Sequence, residues 1–301
     1  MLQDYYLYQG TLILIMNRQS EKFFRRIIIV IIGLFRLTKD VFNGRITLRQ
    51  AYLVIDGKLV NRPLDNDDFN WKTYHLYYEQ EMISTEKENT LHPQGGDFEY
   101  LDGQVRQVNN KVKPLNPNHE LLYEVILKLT PSSVLEVGCG GGDHLRNLIF
   151  FNPQLDVHGI DRSEGQLTTL KKRHPILNEV VSVADLTSDD VTLPIADIVY
   201  SQAVLMHISE TNNRFQIALN NMLKAAKSQV VLKENWTQHN FLLACQEAVK
   251  QDPEWHKSYL YFVKSTKAPE VRALILSKKI LPFEPLQSYD SLLQGSQLRT
   301  H

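Results

Sequence analysis

The residues best suited to chemistry lie in Val134-Leu135-Glu136-Val137-Gly138-Cys139-Gly140-Gly141-Gly142-Asp143. This run reads as a buried strand ending in an acid, then a glycine turn, then a helix start. Glycines at 138, 140 and 142 let the backbone take positive φ and let a ligand approach the main chain. The Glu136 carboxylate stands where a cationic or hydrogen-bond-donating ligand would meet it. Two further acids follow at similar intervals, Asp161 after Val157–Ile160 and Asp185 after Val180–Ala184. A carboxylate at the end of a strand can take both hydroxyls of a ribose.

A dinucleotide is the competing ligand. Its turn is G-x-G-x-x-G, and the third glycine would fall at Asp143. An acid at the helix start that must receive a pyrophosphate is unfavourable. No G-x-x-x-x-G-K-[ST] phosphate loop is present.

These side chains need strands to hold them and helices to return the chain. Strands are expected at 134–137, 157–161, 180–185, 195–202 and 229–234, and β-rich runs at 259–263 and 271–276. Helices are expected at about 119–129, 143–151, 163–173, 212–227 and 239–250 from apolar spacing and stop signals. Asn118 and Ser163 are the expected caps, and Pro175 the stop. Alternation of this kind gives a parallel sheet covered on both faces.

Acidic-x-Gly-x-Gly-x-Gly after a strand resembles the first motif of the class I S-adenosylmethionine-dependent methyltransferases. The three acids at three successive strand ends, and two closing strands with no helix between them, strengthen the resemblance over roughly 115–280. It implies a doubly wound, mostly parallel seven-stranded sheet with a C-terminal antiparallel hairpin. The implied cofactor is S-adenosylmethionine, held by Glu136, Gly138, Cys139, Gly140, Asp161, Arg162, Asp185, Leu186 and Gln202. Asp185 would read the adenine amino group, and Leu186 would pack on its ring. His144 could touch the methionine carboxylate.

Ala203-Val204-Leu205-Met206-His207-Ile208 resembles a run just past the fourth strand of many members. His207 is thus a candidate catalytic base, at a pKa suited to neutral pH; in the family the same histidine often has a structural role. Glu234 is the second catalytic candidate, with helix capping as its alternative. The expected reaction is methyl transfer to an O or N of a small molecule, glycan or lipid-linked acceptor by in-line displacement. A non-catalytic binding module on the same fold is the alternative. Ser201-Gln202-Ala203-Val204 stands where amino-methylating enzymes carry Asn/Asp-Pro-Pro-aromatic, which disfavours base or glutamine methylation.

The net charge of -1, from 33 basic and 34 acidic residues, offers no field for nucleic acid. The two cysteines, Cys139 and Cys245, exclude a disulfide framework. No histidine pair has metal-binding spacing, so no metal is expected.

The expected domains are an extension at 1–114, a methyltransferase domain at 115–285 and a tail at 286–301. Within the extension, residues 18–39 form a basic amphipathic pattern. Arg18, Lys22, Arg25, Arg26, Arg36 and Lys39 share one arc, opposite Phe23, Phe24, Ile27, Val30, Ile31 and Leu34. Such a helix can lie on an anionic membrane surface. It can also dock on the catalytic domain or a second subunit, or make a short tilted span. Its apolar core is far below the roughly 20 residues a perpendicular span needs. The expected location is cytoplasmic, with peripheral attachment at the cytoplasmic membrane face as the variant that a membrane-bound helix would give. Trp71, Tyr74, His75, Tyr77 and Tyr78 fall in a possible substrate lid at 65–90, or pack the extension onto the sheet. Met16 is an alternative start to Met1.

Overall fold

The computed structural model describes residues 97–208, 214–234, 241–268 and 271–283, together with 6–8, 11–13, Thr38 and Phe42. The amphipathic stretch at 18–39 (Thr38 apart), the lid at 65–90 and the tail at 286–301 lie outside the described residues. The chain divides into two compact units, Met1–Asn61 and Arg62–His301. In the first, β1 (Tyr6–Tyr8) and β2 (Thr11–Ile13) pair antiparallel.

Among the described residues of the second unit, an antiparallel hairpin comes first, β3 (Phe98–Leu101) and β4 (Gln104–Gln107). No strand was expected in this segment. Phe98 and Val105 alternate inward and join the core, which gives the hairpin a buried face. Helix α1 (Pro117–Lys128) follows. Its cap is Asn116 rather than Asn118: the Asn116 carboxamide accepts the Asn118 amide at 2.9 Å. Pro117 takes the first helical position, where a missing N–H costs nothing. The Val105 amide donates to Glu124 Oε1 at 3.0 Å, and Lys267 pairs with Glu120, fixing α1 between the hairpin and the end of the sheet.

Then come β5 (Ser133–Val137), α2 (Asp143–Phe151), β6 (Asp156–Asp161), α3 (Glu164–Arg173) and β7 (Val181–Val183). Ser163 caps α3 through the Gln166 amide at 3.3 Å, and Lys171, Lys172 and Arg173 complement the dipole at its far end. β7 is shorter than expected. It is an edge strand with Val183 exposed, and Asp185 lies past it in a turn where its carboxylate accepts the amide and hydroxyl of Thr187 at 2.9 and 2.7 Å.

The second half contains β8 (Ala196–Gln202), a single 3₁₀ turn (Leu205–His207), α4 (Arg214–Ala225), β9 (Ala226–Lys233), α5 (Phe241–Gln251), β10 (Tyr259–Lys264) and β11 (Arg272–Ser277). Helix α4 passes into β9 without a loop. Lys227 and Ser228 hide that strand's start from hydropathy, so it begins three residues before the expected Gln229. Trp255, 1% exposed, donates its indole N–H to the Leu223 carbonyl at 3.0 Å and closes the far side of α4.

The seven-stranded sheet runs β10-β11-β9-β8-β5-β6-β7, parallel except for β11, which is antiparallel to both β9 and β10. Alternating side chains divide the core. Val134, Tyr200 and Val231 face α1, α2 and α3. Leu135, Val137, Val199 and Leu232 face α4 and α5. The chain reverses direction along the sheet between β5 and β8, and a ligand crevice belongs outside the carboxyl ends of those strands.

Candidate functional site

At the end of β5, Glu136 is 2% exposed and accepts a 3.1 Å hydrogen bond from the Tyr200 hydroxyl. The two residues are register partners on neighbouring strands. Burial pushes the Glu136 carboxyl well above the ordinary range; Tyr200 opposes this, and the charges of Asp143 and Asp161 add to it.

The turn that follows has positive φ at Gly138, Gly140 and Gly142. A Cβ on Gly138 would stand 2.4 Å from a Val204 methyl. Four of the turn's amides are occupied. Those of Gly138 and Cys139 both donate to the Ile160 carbonyl, at 2.7 and 2.9 Å, and that of Gly142 to the Cys139 carbonyl. The Gly140 amide donates to Asp161 Oδ2 at 2.9 Å. Cys139 is buried, and burial raises its thiol pKa well above the usual value. Asp143 is held by Arg173 through two hydrogen bonds of 2.8 and 3.2 Å and by His174 at 3.2 Å, while Arg173 also donates to the Gly141 carbonyl.

Asp161 ends β6, 7% exposed. Its Oδ1 accepts the Ser163 amide at 2.8 Å, and burial raises its pKa against these two amide bonds and Arg162. Each oxygen keeps a second lone pair for a ligand hydroxyl. Asp185 lies 3.9 Å from Arg162 at a half-exposed position. Burial works to raise its carboxyl, but Thr187, Arg162 and Arg214 outweigh it and hold it below the usual value. Leu186 is buried in the apolar layer under α4.

Gln202 ends β8, and its Oε1 is buried without a hydrogen-bond partner. The next residue, Ala203, takes φ 53°, strained for a side chain. Its amide donates to the Lys233 carbonyl. Glu234 holds the chain beyond. Its Oε1 accepts the Ser201 hydroxyl at 2.7 Å and the Val204 amide at 3.3 Å, and its Oε2 accepts the Met206 amide at 3.2 Å. These bonds occupy the Glu234 carboxylate as a cap on the 3₁₀ turn. His207 ends that turn, 6% exposed, its amide donating to Val204.

Sequence reasoning named His144 but missed its partners beneath α1 and α2. Tyr123 Oη lies 2.8 Å from His144 Nδ1 and accepts from Asn147 at 2.9 Å. His119 packs edge-on against His144 at 4.7 Å. Burial is the largest cause that pushes His144 down to about 3 and His119 down to about 4. Lys233 was passed over as the end of an apolar run, though a lysine closing Val230-Val231-Leu232 was itself a signal.

The set fits a sulfonium nucleoside. Buried acids stand at two strand ends, Gln202 has an acceptor to give, and the amides of Gly138, Cys139, Gly140 and Gly142 are already bonded within the protein. Among the described residues no group of three or more His, Cys, Asp or Glu is placed to hold a metal.

Fold and site together define a class I S-adenosylmethionine-dependent methyltransferase domain. Residues 135–232 match the family model described as a methyltransferase domain, and the domain is that of an enzyme using S-adenosylmethionine. Among solved structures it is similar to a TehB-like SAM-dependent methyltransferase from Corynebacterium glutamicum, at 16% identity and TM-score 0.46, over 68% of this chain and 98% of that one. It is also similar to the methyltransferase domain of bacterial CtHen1-C, at 16% identity and TM-score 0.44, over 54% and 98%. A third similarity is to the sugar N-methyltransferase KedS8 from Streptoalloteichus sp., at 13% identity and TM-score 0.43, over 55% and 87%. No curated protein matches the sequence.

Proposed function

We propose that the enzyme methylates an O or N of a small molecule, glycan or lipid-linked acceptor by in-line displacement. The observation that carries this reading is the Gln202 Oε1, buried without a hydrogen-bond partner among the described residues at the strand end next to the glycine turn. S-adenosylmethionine, when bound, supplies an electrophilic methyl group. Gln202 would accept from its methionine end and Asp161 from its ribose hydroxyls. Asp185 and Arg162 would border the adenine, with Glu136 and the turn from Gly138 to Gly140 beneath the methionine. The acceptor's lone pair forms the new bond to carbon as the carbon–sulfur bond breaks, so alignment is the protein's main task. His207 is the proposed proton acceptor where the nucleophile arrives protonated, on a turn that Glu234 positions.

The basic apolar pattern at 18–39 supports action at a cytoplasmic membrane face. Among the described residues no helix is long and apolar enough to cross a membrane.

Calorimetric titration with S-adenosylmethionine, S-adenosylhomocysteine and NAD, on the wild type and Asp161→Ala, tests the cofactor site. Both adenosyl ligands should bind, lose affinity in the variant, and NAD should give no heat. Folded wild type that binds neither adenosyl ligand would overturn the reading.

A further inference from the structure

Lys233 closes β9 and is only 7% exposed. Among the described residues its ammonium makes no side-chain hydrogen bond or ion pair. It is the register partner of Gln202, and alternation puts both on the face that carries Glu136 and Tyr200. The neighbouring carboxylate, Glu234, is bonded to Ser201 and to the turn at 204–206.

Burial lowers the pKa of Lys233, and the charge of Glu234 works against it. His119, in the first turn of α1, lies close enough to feel the lysine's charge, and among the described residues its Nδ1 is buried without a hydrogen-bond partner. Burial holds His119 and His144 uncharged at neutral pH. An ammonium on so buried a side chain, with no carboxylate bonded to it among the described residues, gains from an anion. An oxyanion from outside would supply one, and the neutral His119 ring can place its proton on Nδ1 to donate to it.

The position points to the acceptor rather than to the cofactor. β9 lies two strands from the glycine turn, roughly 10 Å at ordinary strand spacing. We infer that Lys233 and His119 form a subsite for an oxyanion carried by the methyl acceptor, either a carboxylate or a phosphate. This rests on the methyl-transfer reading above.

The full chain, saturated with S-adenosylhomocysteine, is titrated with inorganic phosphate, acetate and acetamide. Lys233→Met is compared with the wild type; Lys233→Gln serves should the first variant not fold. At least one anion should bind the wild type, acetamide should not, and either variant should lose on the order of tenfold or more in anion affinity with S-adenosylhomocysteine affinity unchanged. Preference for phosphate assigns a phosphorylated acceptor, and preference for acetate a carboxylic acid. Failure of both anions to bind, or equal binding to wild type and variant, overturns the subsite. Loss of S-adenosylhomocysteine affinity in the variant overturns it too, because Lys233 would then hold the cofactor's own carboxylate. Failure of the wild type to bind S-adenosylhomocysteine sinks the methyl-transfer reading instead, and is seen before any anion is added.

Discussion

A methyl of Val204 occupies the space above Gly138, 2.4 Å from where a Cβ would stand. The loop after β8 is thus seated on the turn after β5, and the contact allows no side chain between them. Gly138→Ala should cost about 2–4 kcal/mol, from left-handed backbone strain plus overpacking. Val204→Ala in the same chain should recover the overpacking share and leave the backbone share. Thermal unfolding of both single variants and the double variant separates the two. Strictly additive losses would mean that the contact does not matter.

Glu234→Ala strips the cap from the turn at 204–206 and leaves the Ser201 hydroxyl and two amides without their acceptor. A loss of roughly 2–4 kcal/mol is expected in urea unfolding. Glu234→Gln, which keeps one carbonyl oxygen, should lose less. A variant of wild-type stability with abolished turnover would assign Glu234 to chemistry instead.

The Glu136 carboxyl sits above its usual pKa in the folded protein. The folded state therefore holds this proton more tightly than the unfolded chain does. Its stabilising share is complete below the unfolded value of about 4.5 and is lost as pH rises through the folded value. Glu136→Gln keeps an acceptor for Tyr200 and removes that loss. Relative to wild type it should gain stability steadily from pH 4.5 to 8, with its cofactor affinity reduced. A difference curve flat in pH would show that Glu136 titrates normally.

Asp143 and Arg173 are 11% and 12% exposed and tie the glycine turn to the end of α3. Arg173→Met should destabilise the fold by about 3 kcal/mol, since it takes the paired guanidinium away from a buried carboxylate. Asp143→Asn with Arg173→Met should cost less than the two single losses together. Chemical denaturation of the cycle reads the coupling, and additive losses would show the pair uncoupled.

A chain lacking residues 1–44 should move from the membrane fraction to the soluble fraction if the basic stretch at 18–39 binds anionic lipid. Vesicle co-sedimentation checks it. Unchanged partition would assign the stretch to docking.

Much of this was legible in the residues. Strand-length apolar runs ending in Glu136, Asp161 and Gln202 placed the carboxyl ends correctly, because buried parallel strands leave little room for any other pattern. Local chemistry misled where a polar residue sat inside an element. Lys227 and Ser228 concealed the start of β9, and Pro117 moved the cap of α1 back to Asn116. Contacts between distant segments had no local signal. Nothing in the sequence ties Tyr123 to His144 or Glu234 to the amides before it, because each pair meets only once the sheet is wound. The hairpin at 98–107 escaped because Phe98 and Val105 are isolated apolar residues whose partners lie elsewhere in the chain.

The Ile160 carbonyl binds two of the turn's amides, and Asp161 beside it binds a third. Ligand class is therefore set from the neighbouring strand and not by the glycines alone. An engineer who replaced Asp143 with glycine would restore the dinucleotide spelling of the motif and still find the amides of Gly138, Cys139 and Gly140 bonded to β6. Redirecting this scaffold toward nicotinamide chemistry would require re-registering β6 against the turn, a change of backbone that no single codon can write.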